Sequence, residues 1–393
     1  MFGFLYGTIF KPILFLLDPE FIHESMLSFG EFLGRLGFNP DDKSGPRQNR
    51  RKKNILKLFF GKKYPELKQS ISGIEFDSPV GLAAGFDYQA KLTQVLPNLG
   101  FGFETIGTIT NQECEGNSRP RLGRLVKSRS LMVNKGFKNQ GAEKIAKKLG
   151  PLSFSFPLGI SIGVTNTEKI AAEGQGVLDI VSAFKTFEMV AVKNSYYELN
   201  ISCPNLKTKI DFYQPESLKK LLKAVNQLNI KKPIFIKMPI NISDAEALAM
   251  LKVVGEAKID GVIFGNLQKD RHNESLIQEE VKKFPVGNFS GKPTEKRSNE
   301  LIKLAYRNFG SVKSPSGDHG TNKQLVIIGC GGVFSAEDAY KKIKLGASLV
   351  QLITGLIFEG PQLVSEINRN LVRLLQEDGY KNIKEAIGVK SGV

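Results

Sequence analysis

The sequence has no tryptophan, and only three cysteines and three histidines among its 393 residues. Cys114, Cys203 and Cys330 are far apart and form no Cys-x-x-Cys pair, which argues against a disulfide framework and a zinc site and suits a reducing compartment. His23, His272 and His319 are equally scattered, away from any cluster of carboxylates or thiols, so no metal is expected. Long apolar runs are also missing. Met1 to Leu17 is apolar but contains Lys11 and Pro12, and it falls short of the roughly 20 residues a spanning helix needs. No positive charge precedes that run and no small-residue cleavage site follows it, which speaks against a secretory signal.

Acids are scarce relative to bases: 39 Asp and Glu against 55 Lys and Arg give a formal charge of +16. Such a field favours anionic partners, whether nucleic acid, an acidic membrane surface or a small anionic substrate. Its distribution narrows the choice. Lys43 to Pro65 holds nine Lys or Arg residues and no acid, directly after an apolar N-terminal region. Basic residues beside apolar helices suit an anionic bilayer, although a solvated linker accounts for the same charges. After Asp18 and Pro19, the residues Ile22, Met26, Phe29, Leu33 and Leu36 recur at alternating steps of four and three and share one helix face. That face needs a partner, either the main domain alone or the domain and a bilayer with an apolar tunnel between them. The expected organisation is a helical unit at 1–40, a basic linker at 41–70 and a main domain at 71–393.

In the main domain, short apolar runs alternate eight times with segments of helical period. The expected strands are Val80 to Ala84, Phe103 to Ile109, Leu158 to Val164, Tyr196 to Ser202, Ile234 to Met238, Gly261 to Gly265, Leu325 to Cys330 and Ser348 to Thr354. Most are continuously apolar, as parallel strands covered on both faces should be. Helices are expected over Gln89 to Leu99, Gly141 to Leu149, Leu178 to Lys193, Pro215 to Leu228, Asp244 to Ala257, Lys296 to Phe309, Ala336 to Leu345 and Pro361 to Glu377. Ser243 and Ser335 sit at N-cap positions, with Glu246 and Asp338 three residues on. Eightfold alternation predicts a closed (βα)8 TIM barrel with a small N-terminal helical extension; an open doubly wound sheet is the competing α/β architecture.

A barrel places its chemistry at the strand C-terminal ends. Here those ends read Ala84-Gly85-Phe86-Asp87, Gly107-Thr108, Asn200-Ile201-Ser202-Cys203-Pro204-Asn205, Lys237, Gly265-Asn266, Gly329-Cys330-Gly331-Gly332 and Thr354-Gly355. Glycine-rich turns after the last two strands form a phosphate site, because bare backbone N–H groups can approach an anion, and a phosphate-bearing cofactor is implied. The flexible segment Gly287 to Pro293 supplies another glycine. Ser311 to Lys323 reads as an exposed loop. A lone cysteine is more often a small buried hydrophobe than a catalyst, but Cys203 ends a buried strand between two asparagines. Lys237, alone among apolar neighbours, must reach the barrel mouth or meet an anion, or else form a structural ion pair.

The motifs Gly81-Leu-Ala-Ala-Gly-Phe-Asp87, Ile106-Gly-Thr108, Gly136-Phe137 with Asn139, Asn200-Ile-Ser-Cys-Pro-Asn205, Phe289-Ser-Gly291, Ile328-Gly-Cys-Gly-Gly-Val333 and Gly346-Ala-Ser-Leu-Val-Gln351 together resemble dihydroorotate dehydrogenases across nearly the whole chain. Leu17-Asp-Pro-Glu20 with His23 is similar to the membrane-associated class, whose extra helices shape a quinone tunnel. The resemblance implies an FMN barrel in which a base takes the C5 proton of dihydroorotate while C6 gives hydride to the flavin, yielding orotate. It assigns FMN to Ala84, Gly85, Thr108, Ser161, Asn200, Lys237, Gly265, Gly291, Gly331, Gly332 and Thr354. Substrate falls to Asn134, Lys135, Gly136, Phe137, Asn200, Asn205 and Asn266, the base is Cys203, and His23 and Arg124 face the quinone. A peripheral enzyme on the cytoplasmic face of the cell inner membrane is implied, with no nucleic-acid partner. Three residues depart from the pattern. Cys203 stands where the quinone class has serine and matches the soluble class that uses fumarate or nicotinamide. Tyr88 replaces a lysine after Gly-Phe-Asp, a loss that Lys135 is expected to offset. Ile353 stands where a tyrosine often meets flavin and quinone.

A cationic thiol site with pKa drawn down toward working pH is what a cysteine base requires. Three other readings fit parts of the sequence. A flavin barrel acting on RNA, similar to tRNA-dihydrouridine synthases, would welcome the charge, but its RNA-binding helical unit normally follows the barrel. A non-redox phosphate-binding barrel needs only Gly329 to Gly332. A membrane-surface scaffold leaves Lys237 and the asparagine-rich strand ends without a purpose.

Overall fold

Continuously apolar strands can only be satisfied when both faces are covered, and the computed structural model, which describes residues 2–35, 55–208, 210–310 and 324–392, meets that demand by closing them into a barrel. The chain enters through α1 (Phe2–Leu5), α2 (Lys11–Leu16), α3 (Pro19–Arg35) and α4 (Ile55–Phe60). The hairpin β1 (Gln69–Ile71) and β2 (Ile74–Phe76) follows, and then β3 (Val80–Leu82) and β4 (Phe103–Ile109). Next come β5 (Leu122–Leu125), β6 (Ser130–Val133), α5 (Ala142–Leu149), β7 (Leu158–Ile162), α6 (Glu173–Met189) and β8 (Tyr196–Asn200). They lead into α7 (Pro215–Asn226), β9 (Ile234–Met238), α8 (Asp244–Glu256), β10 (Gly261–Phe264), α9 (Gln278–Val281) and β11 (Asn288–Phe289). The chain closes with α10 (Glu295–Ala305), β12 (Val326–Cys330), α11 (Ala336–Leu345), β13 (Leu349–Leu352), α12 (Thr354–Glu359) and α13 (Leu363–Glu377).

The eight strands β3, β4, β7, β8, β9, β10, β12 and β13 pair in parallel in that order, and β13 returns to β3 through Val350 opposite Val80. All eight expected strands are there, so the open sheet is set aside. Phe103, Tyr196, Phe235, Ile263, Ile328 and Leu349 fill the lower interior, and the hairpin drives Phe76 against Phe103 with ring centroids 5.4 Å apart, plugging that end. The strand sequences leave room for these rings: a Cβ on Gly81 would lie 2.4 Å from Phe103. Outside, α5 to α8 bury Ile145, Phe184, Leu221 and Met250 on one half of the barrel, and α11 and α13 bury Ile343 and Leu371 on the other. The caps read from sequence are formed. Ser243 accepts from the Glu246 amide at 3.2 Å and Ser335 from the Asp338 amide at 3.2 Å, each cap contributing about 1 kcal/mol.

Several expectations are corrected. Gln89 to Leu99 is not a helix. The Asp87 carboxylate captures the amides of Lys91 and Leu92 at 2.9 and 2.6 Å, Ala90 takes a φ of 54°, and Pro97 permits only a 3-10 turn at Leu96–Leu99. The range 41–70 is not wholly linker, because α4 buries Phe60 and β1 begins at Gln69; residues 36–54, with Leu36 and most of the basic run, lie outside the described residues, as does the loop 311–323. The antiparallel sheet β11-β6-β5 above the barrel mouth was not foreseen; its strands are short and sit inside loops.

Of the two partners expected for the apolar face of α3, the barrel alone is not enough, and the face also borders an apolar channel. Glu20, His23, Leu27 and Gly30 are buried, and Gly30 lies so close to Leu92 that a Cβ would come within 2.2 Å. Ile22, Met26, Phe29 and Leu33 instead line a cavity beside the helix. Among the described residues no single helix is long and apolar enough to cross a membrane; Phe2–Leu16 and Pro19–Arg35 meet at 119°. Phe103→Ala should cost about 3–5 kcal/mol by emptying the plugged end. A thermal or urea unfolding curve within error of the parent would contradict that packing account.

Candidate active site

Because each barrel strand spends its backbone groups on two neighbours, free polar groups concentrate where the strands end. There they surround one cavity of about 670 Å³. Strand β3 runs out through Ala84 and Gly85, and the φ of 115° at Gly85 aims an imagined Cβ into open space, with only Ile353 within reach at 3.5 Å. The ends of β4, β8, β9 and β10 supply Thr108, Asn200, Lys237, Gly265 and Asn266. The turns after β11, β12 and β13 supply Gly291, Gly331, Gly332 and Thr354. Gly331 and Gly332 have φ values of 96° and 71°, and Cβ atoms there would come within 2.3 Å of Thr294 Oγ1 and 2.4 Å of Glu295 Cβ. Only glycine fits this bend, and its neighbouring backbone forms the cradle expected for a phosphate.

Two predicted residues are not at the wall. Ser161 lies one layer below, its hydroxyl 2.9 Å from Thr108 Oγ1, and Asn134 is turned away, accepting from Asn117 at 3.0 Å. Ser161 explains a residue that sequence reading missed. Its hydroxyl donates to Glu198 Oε1 at 2.6 Å, so Thr108 must donate to Ser161, and Asn200 Nδ2 donates to Thr108 at 2.7 Å. Asn200 Oδ1 is occupied by the Ser202 amide and hydroxyl at 3.1 and 3.0 Å, and Asn266 Nδ2 donates to Ser202 at 2.5 Å. Glu198 thus ends a one-way hydrogen-bond chain that leaves Asn200 only a donor, and Thr108 only an acceptor, for a ligand. The same carboxylate is 3.8 Å from Lys237 Nζ, so Lys237 makes the ion pair that was the competing reading of this lysine. Lys237 is 4% exposed and still lines the cavity. Apart from its position two residues before Asn200, nothing in the sequence marks Glu198.

Cys203 lines the cavity half-buried, and burial pushes its thiol up to about 11 against the opposing pull of the Asn205 amide and Lys237. This corrects the expectation of a thiol drawn toward neutrality. Asn205 spends its side chain on Val133 O at 2.9 Å and on Asn288 at 2.6 Å, and thereby ties the Cys203 turn to the β6 and β11 sheet.

The antiparallel sheet leads into the loop expected to hold substrate, with Lys135, Gly136 and Phe137 at the cavity wall. Lys135 is buried 4.3 Å above the Tyr88 ring and 2.9 Å from His23 Nδ1. His23 Nε2 lies 2.9 Å from Phe86 O; a carbonyl only accepts, so Nε2 carries the proton and Nδ1 receives from Lys135. Tyr88 meanwhile hydrogen-bonds Glu24, which also takes Lys138 at 2.7 Å. On the far side of the cavity, Arg124 Nη1 donates to Phe15 O and Leu17 O at 3.2 and 2.6 Å, stacks 4.7 Å from the Phe15 ring, and is joined by Tyr6. Among the described residues no group of three His, Cys, Asp or Glu could hold a metal ion.

Fold and site define a parallel β/α barrel enzyme whose mouth suits a planar, phosphate-bearing cofactor: a glycine cradle, a buried cation and a directed donor-acceptor pair converge on one cavity. Family comparison narrows that class. The family model described as dihydroorotate dehydrogenase matches residues 66–375, and the chain belongs to that family. It is 36% identical over 373 residues to a protein of Christiangramia forsetii named dihydroorotate dehydrogenase (quinone), covering 94% of this chain and 99% of that one. A protein of the same name from Trichodesmium erythraeum is 32% identical over 397 residues, covering 98% of each. Among solved structures, the Eimeria tenella enzyme in complex with ferulenol superposes with a TM-score of 0.76 at 27% identity, covering 95% of each chain. The chain is thus similar along its whole length, N-terminal helices included, to the quinone class.

The family is flavin-dependent, which gives the glycine cradle a direct test. Gly332→Ala forces a side chain into left-handed backbone and should weaken flavin retention roughly tenfold. Flavin-to-protein absorbance equal to that of the parent would show that this turn does not hold the cofactor.

Proposed function

We propose that the protein oxidises (S)-dihydroorotate to orotate in pyrimidine biosynthesis, using FMN as its flavin and a quinone as electron acceptor. The observation that carries the reading is the continuity of the cavity: the space bounded by Cys203, Lys237 and Gly331 runs on between Ile22, Met26, Phe29 and Leu33 of α3 and Phe10 and Leu14 of the preceding segment. A polar reaction site and an apolar channel are one volume. A soluble acceptor such as fumarate or NAD has no use for the apolar half.

FMN would sit with its phosphate at Gly291, Gly331, Gly332 and Thr354 and its ring against Ala84, Gly85, Thr108, Asn200, Lys237 and Gly265, with Ser161 acting through Thr108. When bound, it supplies a two-electron acceptor for hydride leaving substrate C6. Dihydroorotate would lie against Lys135, Gly136, Phe137, Asn200 and Asn266, with Asn134 and Asn205 holding the surrounding loops. Cys203 takes the C5 proton as thiolate. Because burial raises the thiol, the thiolate fraction at neutral pH is small and increases with pH.

The quinone ring would approach His23, Arg124 and Tyr6. Met26 and Phe29 line the channel while 44% and 55% exposed, so the channel opens onto an apolar face that includes Phe4, Leu16, Phe21 and Phe32. A face of that kind, on helices that the basic run follows in the sequence, supports peripheral attachment to an anionic membrane at the cytoplasmic face of the cell inner membrane.

Two measurements test the reading. The anaerobic flavin-reduction rate should climb about tenfold per pH unit from pH 7 to 9, and Cys203→Ala should lower it by about 10²-fold or more; a flat profile, or a rate that survives the substitution, removes Cys203 as base. Flavin reduced by dihydroorotate should be reoxidised rapidly by a ubiquinone or menaquinone analogue. Fast reoxidation by fumarate or NAD and none by quinone would transfer the enzyme to the soluble class that its cysteine resembles.

A further inference from the structure

Lys135 is anomalous. It is 8% exposed, lines the cavity and forms no salt bridge within 4.0 Å among the described residues. Among the described residues its ammonium has one hydrogen-bond partner, a neutral imidazole, His23 Nδ1 at 2.9 Å, and it lies over the face of Tyr88. A buried ammonium with spare donors is costly unless an anion completes it. The carboxylates nearest to it are committed elsewhere: Glu24 to Tyr88 and Lys138, and Glu20 to Arg119 and Arg121.

We infer that helix α3 completes the substrate site, with His23 as a positioning residue that accepts a hydrogen bond from Lys135 and holds its ammonium in the cavity for the carboxylate of the substrate. The imidazole suits this because both of its nitrogens are assigned. Phe86 O takes the Nε2 proton and leaves Nδ1 as a pure acceptor, and the edge of Phe86 against the ring, with centroids 4.7 Å apart, fixes its plane. His23 Nδ1 does not readily gain a proton and so stays an acceptor: burial, then the Lys135 charge, lowers the imidazole to about 3. Lys135 itself is lowered to about 7 by burial, against the pull of Glu24 and Glu20, with Lys138 and Arg121 adding to the lowering. The sign follows from the chemistry. An anion needs the ammonium, which is present below about pH 7 in the free protein and is lost above it, so ligand affinity falls as pH rises.

The inference rests on orotate and dihydroorotate being the ligands. The probe is orotate binding to the oxidised flavoprotein, read from the flavin absorbance shift between pH 6 and 9. The parent should bind orotate progressively more weakly above about pH 7. Lys135→Met should weaken binding at pH 6.5 by about 10- to 100-fold and abolish the pH trend. His23→Leu keeps the packing but offers no acceptor, and should weaken binding by about fivefold or more. His23→Gln offers an amide oxygen to Lys135 and an amide N–H to Phe86 O, and should restore affinity to within about threefold of the parent. A purely structural role would be met as well by Leu as by Gln. Equal orotate affinity in the parent, Lys135→Met and His23→Leu would overturn the inference, and so would Leu binding as well as Gln. Absence of flavin bleaching by dihydroorotate in the parent would instead overturn the proposed activity.

Discussion

The arrangement depends on the closure of eight parallel strands. Once β13 pairs with β3, no strand edge is left to solvent and every lateral hydrogen bond is used within the ring. Both strand faces are then buried, by Phe103 and its neighbours inside and by the helices outside, so the C-terminal ends are where unspent polar groups collect. The cavity is a product of that accounting. Residues more than 200 positions apart, such as Gly85 and Gly332, share one wall because parallel closure turns all strands the same way.

Inside this mouth the charges are few and each is arranged by something beneath it. Glu198 opposes Lys237 and sets the direction of hydrogen bonds up to Asn266. Tyr88, in place of a lysine, uses its hydroxyl to hold Glu24 and its ring to support Lys135. The buried cation here stands on a different loop, at Lys135, and α3 packs over that loop through His23. Cys203 shows the opposite bias: the water exclusion that suits hydride transfer also disfavours a thiolate.

Much of this was legible in the sequence because the strands are unambiguous. Continuous Val, Ile and Leu runs ending in Gly, Asn or Lys declare both the element and the site at its end. The helix over Gln89 to Leu99 failed because a side chain, Asp87, outcompeted helical backbone bonding, and periodicity does not register that contest. The stripe Ile22, Met26, Phe29 and Leu33 was visible and lines the cavity, with Leu33 also against the barrel core; the buried positions Glu20, His23, Leu27 and Gly30 were not read from it. Ser161 and Asn134, assigned by resemblance, do not line the cavity: Ser161 sits behind Thr108 and Asn134 turns to Asn117. Glu198 escaped notice because a buried acid in a strand has no periodic signature. Its meaning appears only when its partners on β7 and β9 are known.

Helix α3 has two working faces. One lines the apolar channel through Ile22 and Met26, and the other reaches Lys135 through His23, less than a turn away. An element shared by two sites links their occupancies only if each ligand favours a different placement of it. A hydrophobic molecule lodged in the channel that tilts α3 changes the grip on a ligand it never touches, and by reciprocity that ligand changes the affinity of the channel. If α3 shifts in that way, inhibitors of the two half-sites proposed above would not be independent variables, and a potency measured for one would carry the concentration of the other within it.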